Sequence, residues 1–287
     1  MIAVTGAAGQ LGHQVINHLL LQGVPAGQIV AVDLESAKAA ALATLGVDVR
    51  FADYDQPETL LPAFAGADKV LLVSAPTGPD ATRIRQHQAV IDAAIESGVG
   101  ILAYTSVTHA PTNTMGLAPV HRVTEQAIAA SGLPAVILRN GWYAENHTAA
   151  LRNAISSGTL VGSAGNGRMA AASRADLAEA AAIILTRDDQ AGQVYDLTGD
   201  TAWTLSELAA EAAAQSGTPL TYADLPAEQY RQVLQQAGLP EPVVELIVDA
   251  DVAISHGTLD YITSDLSTLL GRPTTPMSSN VASALQA

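Results

Sequence analysis

The opening stretch MIAVTGAAGQLG constrains the fold more than any other part of the chain. An apolar run of strand length ends at Thr5, glycines follow at positions 6, 9 and 12, and a helical pattern starts at once in QLGHQVINHLLL. Glycine is a poor helix former, so three of them at a helix start need a reason. The strand–turn–helix setting gives one. Gly6 permits the tight turn, Gly9 lets a pyrophosphate reach the backbone, and Gly12 lets the helix pack close to the sheet. Unpaired N–H groups of the first helical turn then face the phosphates, aided by the helix dipole. The competing explanation is that the glycines only permit close packing.

Further apolar runs recur at 28–33, 48–52, 69–74, 100–105 and 134–139, with helix-length segments near 10–22, 36–45, 57–65, 81–97 and 117–131. The runs are continuously apolar, as expected of parallel strands covered on both faces. Alternating strands and helices with right-handed crossovers predict an α/β fold, a doubly wound Rossmann sheet. After about residue 145 the rhythm loosens. The expected division is a dinucleotide-binding domain at 1–145 and a smaller α/β substrate lobe at 146–287 packed on it, with room for some of its strands to return to the main sheet. Helices are expected near 174–186 and 205–216, the second opened by a capping box of Thr204 and Glu207. The tail from 226 to 285 reads as helical, broken at Pro240, Pro242, Gly257, Gly271 and Pro273.

Charge narrows the partners. With 13 basic and 28 acidic side chains the formal charge is −15, which repels phosphate backbones and anionic membranes, so neither nucleic acid nor a membrane is an expected partner. There is no basic leader, no apolar run of the roughly 20 residues that spans a bilayer, and no cysteine. These features point to a reducing, cytoplasmic location and remove thiolate chemistry.

The spacing Gly-x-x-Gly-x-x-Gly resembles the extended and atypical short-chain dehydrogenase/reductase superfamily. Within it the chain resembles the NmrA-like branch, in particular its bacterial NAD(P)H:quinone oxidoreductase 2 and triphenylmethane reductase group. The likeness runs nearly end to end, through MIAVTGAAGQLGHQVI, ADYDQPETL at 52–60, AYTS at 103–106, LRNGWYAEN at 138–146, SRADLA at 173–178 and AWTLSELAAE at 202–211. It implies a nicotinamide dinucleotide on Gly6, Ala8, Gly9, Gln10 and Leu11. It places Asp53 on the adenine amine and Tyr54 on the ring. Ser74, Ala75 and Pro76 line the riboses, with Tyr104 and Thr105 beyond them, and His121 reaches the nicotinamide ribose.

The second strand ends in Val32-Asp33-Leu34-Glu35. A carboxylate here accepts bonds from the adenosine ribose hydroxyls and opposes a 2′-phosphate. The resemblance usually brings an arginine to this stretch, and here its place falls on Leu34. Asp33 therefore favours NAD(H) over NADP(H), unless Asp33 and Glu35 do no more than open the next helix.

The superfamily's Tyr-x-x-x-Lys acid is absent. The only lysines are Lys38 and Lys69, preceded four residues earlier by Leu34 and Ala65, and the matching segment puts Leu117 and His121 in the two positions. A quinone tolerates this loss, because hydride addition leaves a phenolate-like oxygen that water protonates. The expected activity is hydride transfer, without flavin or metal, to a quinone or similar planar electrophile. Trp142 and Tyr143 are noticeable in a chain with 4% aromatics; they either stack on that acceptor or seal the core. Asn140 and Gly141 shape the turn before them. The candidate catalytic residues are Tyr143, Asn140 and Ser106, the last matching the superfamily's serine. His87, His109 and His147 read as solvent or helix residues. The competing function is a nicotinamide-sensing regulator acting through a protein partner. The expected state is a monomer or homodimer.

Overall fold

The computed structural model describes residues 1–75 and 78–286. The apolar runs become strands β1 (Ile2–Thr5), β2 (Ile29–Asp33), β3 (Asp48–Phe51), β4 (Lys69–Leu72), β5 (Ile101–Val107) and β6 (Ala135–Asn140). Three more follow: β7 (Thr159–Gly162), β8 (Val194–Leu197) and β9 (Thr221–Asp224). The principal helices are α1 (Gln10–Leu21), α2 (Asp80–Glu96), α3 (Ala118–Ser131), α4 (Arg174–Thr186), α5 (Leu205–Ser216) and α6 (Glu241–Ser255).

The main sheet runs β3-β2-β1-β4-β5-β6-β8. The ladders from β3 to β6 are all parallel, with Ile2 opposite both Ile29 and Lys69. The chain builds outward from β1 through β2 and β3, then crosses to the other side of β1 with β4. The carboxyl ends of β1 and β4 therefore form the topological switch point, where open α/β sheets bind ligands. Helix α1 buries Leu11, Val15, Ile16 and Leu19, a stripe at helical spacing, and packs on α4. The alanine-rich inner face of α4 lets the two approach closely: Ala178, Ala180, Ala181 and Ala182 are all buried.

Two units emerge, interleaved in sequence. The first comprises 1–110, 119–140 and 174–196, and the second 111–118, 141–173 and 197–287. Strand β8 reads VYDL, and Asp196 interrupts it so that no continuous apolar run marks it in the sequence, yet it joins the main sheet beside β6.

In the second unit β7 and β9 pair in parallel, Thr159 opposite Thr221 and Gly162 opposite Asp224. The predicted capping box is present: Thr204 accepts from the Glu207 amide, and Glu207 accepts from the Thr204 amide. One expectation needs correction. Pro242 does not break the tail, because it lies in the first turn of α6, where its missing N–H has no intrahelical acceptor to serve. Among the described residues no helix is long and apolar enough to cross a membrane.

Candidate functional site

The glycine loop joins β1 to α1 at the switch point. Gly6 has φ +59°, a conformation that glycine adopts without strain. Gly9 caps α1 with no side-chain hydrogen bond, so the first-turn amides at Gln10 and Leu11 are left for an outside acceptor. Leu11 itself points into the core, and only its backbone serves the site. Gly12 acts differently from expectation. A Cβ there would lie 2.3 Å from the Gly6 carbonyl oxygen and 3.1 Å from the Ala7 Cα. Gly12 is required by the loop before the helix, not by the sheet beneath it.

Asp33 at the end of β2 holds this loop from the side. Its Oδ2 accepts from the Ala8 amide at 2.8 Å, and its Oδ1 from the Glu35 amide at 2.8 Å. Leu34 is exposed, and Glu35 pairs with Lys38 at 2.7 Å. Asp53 is drawn into its own turn, accepting from the Asp55 amide and from Gln56 Nε2. The Tyr54 hydroxyl donates to Thr5 Oγ1 at 2.5 Å. Burial raises its pKa, so the phenol stays protonated and its ring is fixed beside the end of β1.

The backbone after β4 is held by three consecutive amides, each taken by a different element. Val73 N–H donates to Thr5 Oγ1 on β1, Ser74 N–H to Thr105 Oγ1 on β5, and Ala75 N–H to His87 Nε2 on α2, at 3.1, 2.9 and 2.9 Å. With these donors engaged, the polar groups that Ser74 and Ala75 can offer a ligand are their carbonyls and the Ser74 hydroxyl. Pro76 lies outside the described residues.

His87 is a helix residue, one of the two readings given for it, and it is fully buried. Because Nε2 accepts, Nδ1 carries the proton and donates to Thr124 Oγ1 at 2.8 Å. Burial, and then the Arg83 charge, lower its pKa to about 4, so it is neutral. No local sequence pattern marks this role; only the approach of α2 to the end of β4 creates it.

Tyr104 is turned inward. Its ring is wholly buried, burial raises its pKa, and its hydroxyl is hydrogen-bonded to His121 Nδ1 at 2.7 Å. Burial lowers the His121 pKa to about 3. His121, the residue in place of the superfamily's lysine, is thus a neutral imidazole.

Ser106 is directed elsewhere than expected. Its Oγ donates to Glu125 Oε1 at 2.6 Å. Glu125 also holds Arg139, which extends to Asp196 at 3.7 Å. This ion cluster ties β5, α3, β6 and β8 together. Asn140 is buried at the end of β6, and its Oδ1 has no hydrogen-bond partner.

In the second unit Gly141 is a position only glycine fits, since a Cβ would meet the Leu197 carbonyl at 2.8 Å. Trp142 is half-buried and donates from Nε1 to His147 Nε2 at 3.1 Å. Burial lowers the His147 pKa to about 4, which keeps it an acceptor. Tyr143 bridges Ala172 through the backbone, and Ala144 N–H and Trp142 C=O bond Ala172 on either side. A surface groove of about 470 Å³ in this unit is lined by Arg168, Trp203, Glu207 and Met277, none of them expected site residues. Among the described residues no cluster of three His, Asp or Glu side chains is placed to hold a metal ion.

Comparison with known proteins identifies the chain's relatives. The NmrA-like family model matches residues 1–267. The chain is 45% identical over 282 residues to quinone oxidoreductase 2 of Escherichia coli strain K12, covering 98% of each. A crystal structure of the NADPH-dependent quinone oxidoreductase from Escherichia coli, complexed with NADPH, superposes with a TM-score of 0.94 at 44% identity, over 99% of this chain and 100% of that one. Citrobacter sp. triphenylmethane reductase complexed with NADP(H) superposes at 0.95 and 40% identity, over 99% of this chain and 100% of that one. With its family model spanning most of the length and these relatives covering nearly all of it, the chain belongs to the NmrA-like family.

Proposed function

We propose that the protein is a flavin-independent reductase that passes hydride from NAD(P)H to a quinone or similar planar electrophile. The carrying observation is the glycine loop at the switch point, with uncapped first-turn amides and a Gly6 turn only glycine makes easily. Support also comes from end-to-end likeness to a quinone oxidoreductase. Gly6, Gly9 and the Gln10 and Leu11 amides would hold the pyrophosphate. The Ser74 and Ala75 carbonyls and the Ser74 hydroxyl would bond ribose hydroxyls, with the neutral imidazole of His121 nearby. The dinucleotide, when bound, supplies the hydride.

For the adenosine end the proposal is NADH over NADPH. Asp33 and Glu35 with Lys38 carry a net negative charge, and Lys38 is already paired with Glu35. Both relatives named above were solved with the phosphorylated form, so this preference is a distinguishing expectation for the present chain.

For the acceptor the proposed surface is the rings of Trp142 and Tyr143, with Asn140 as a further polar group. Purified protein mixed with NADH and a benzoquinone should consume NADH absorbance without added flavin. Trp142→Ala should raise the quinone KM more than it weakens NADH binding. No turnover with any quinone, alongside tight dinucleotide binding, would instead indicate a sensor acting through a partner.

A further inference from the structure

Trp142 is the larger ring of the proposed acceptor surface, and its backbone is fixed on both sides. Gly141 N–H donates to the Leu197 carbonyl at 2.7 Å, and the Trp142 carbonyl accepts from Ala172 N–H at 2.9 Å. What the backbone leaves free is rotation of the half-buried indole about its side-chain torsions. An indole has a single polar atom, Nε1, which can only donate. Its acceptor is His147 Nε2 at 3.1 Å, so one residue sets the orientation of the ring through its only polar atom.

His147 is itself held firmly. It lies in the short helical turn Glu145–Thr148, where the Tyr143 carbonyl accepts from Asn146 N–H and the Ala144 carbonyl from His147 N–H and Thr148 N–H. Because the indole must donate, Nε2 accepts and the proton of the neutral imidazole is on Nδ1. His147 also meets Trp203 edge to face, with ring centroids 6.1 Å apart and planes at 85°, a preferred aromatic geometry. Trp203 is 4% exposed, and its amide and carbonyl are both paired with Met169, at 3.1 and 3.0 Å. The chain has two tryptophans, and this one histidine contacts both, as hydrogen-bond acceptor to the first and as edge-to-face neighbour of the second.

We infer that His147 is a positioning residue for the acceptor, holding the Trp142 indole in the plane on which a flat ring stacks, with the buried Trp203 as its support. This rests on the reductase reading above. A ring already ordered when the acceptor arrives loses less conformational entropy on binding. Removing the anchor therefore weakens acceptor binding and leaves the hydride step and the dinucleotide largely untouched. The loss grows with the flat area of the acceptor, because a larger ring system covers more of the indole.

Steady-state kinetics with NADH and either benzoquinone or naphthoquinone test this on wild type, His147→Leu and His147→Gln. Leucine removes the acceptor atom, whereas the glutamine side-chain oxygen can still accept from the indole. His147→Leu should raise the naphthoquinone KM by about five- to tenfold and the benzoquinone KM by less. It should leave kcat and the NADH Kd within about twofold of wild type, the pattern of lost uniform binding. His147→Gln should recover most of the naphthoquinone KM. An unchanged KM in His147→Leu would overturn the inference. So would equal losses in His147→Leu and His147→Gln, or a fall in kcat or in NADH affinity as large as the rise in KM, either of which would assign His147 to the fold. A second measurement holds even where the unpaired indole N–H keeps His147→Leu from folding. Trp142→Phe has no N–H to anchor, so adding His147→Leu to it should raise the naphthoquinone KM no further, and additive effects would overturn the inference. Calorimetric titration of naphthoquinone into protein loaded with oxidised dinucleotide separates the two readings. A wild type that reduces no quinone, yet binds naphthoquinone with an affinity lost in His147→Leu and recovered in His147→Gln, would remove the reductase reading and leave the role of His147 in place. A wild type that neither reduces nor binds naphthoquinone would remove both.

Discussion

Asp33 joins two tasks in one carboxylate. Each oxygen accepts one backbone N–H, from Ala8 and Glu35, and each keeps a further acceptor site. Asp33→Ala should therefore weaken NADH binding by an amount equivalent to roughly 1–3 kcal/mol, partly by loosening the loop at Ala8. NADPH should lose less, because the same change relieves repulsion of the 2′-phosphate, so the gap between the nucleotides should narrow. Asp33→Asn should resemble Asp33→Ala, since its amide nitrogen must face a backbone donor on one side. Calorimetric titration of wild type and variants with both nucleotides decides the matter. Tighter NADPH binding by wild type would contradict the preference.

At the level of the β1–α1 element, two glycines give different failures. A Cβ at Gly9 would lie 3.1 Å from the Gly6 carbonyl oxygen, a contact the loop can accommodate with a small shift. A Cβ at Gly12 would lie 2.3 Å from that same oxygen, which belongs to the backbone and cannot swing aside. Gly9→Val is expected to keep the melting temperature close to wild type while abolishing dinucleotide binding, because the side chain stands where the pyrophosphate approaches. Gly12→Ala is expected to lower stability by about 1–3 kcal/mol and to lose binding as a consequence of the displaced loop. Thermal melts by circular dichroism with parallel titrations separate the two. A Gly12→Ala protein that melts and binds as wild type would show that the loop relaxes around the new methyl.

Across the whole molecule, burial sets how stability responds to acid. His87, His121 and His147 titrate near 4, 3 and 4 in the folded state against about 6.5 when unfolded. The unfolded chain therefore takes up protons first, and the stability these groups contribute is full above pH 6.5 and falls as pH drops toward 4. Asp251 works in the opposite sense. It is 1% exposed, its Oδ2 accepts from the Ser163 amide, its Oδ1 is unpartnered, and burial raises its pKa to about 7. The advantage of its neutral form is full below pH 3.8 and lost as pH rises through 7. Three histidines outweigh one aspartate, so urea midpoints should fall from pH 6.5 to 4.5 and level off above 7. Asp251→Asn should be more stabilising at pH 8 than at pH 5, by roughly 2–4 kcal/mol. A flat wild-type profile would show that these groups titrate alike in both states.

The sequence by itself determined the elements from β1 to β6, the glycine loop, the acidic end of β2 and the loss of Tyr-x-x-x-Lys. Each is written in neighbouring residues, in a run of apolar side chains or a fixed spacing. The capping box of α5 was legible for the same reason. Only the tertiary structure decided what depends on elements meeting. Examples are β8 at the sheet edge, Gly12 against the Gly6 carbonyl, and the three amides after β4 held by Thr5, Thr105 and His87. Tyr104 looked like a ligand contact because it closes a strand, yet strand and helix packing turned it inward, onto His121. Local pattern fixes which elements form; the charge, tautomer and exposure of a side chain are set by groups distant in sequence, and these decide its chemistry.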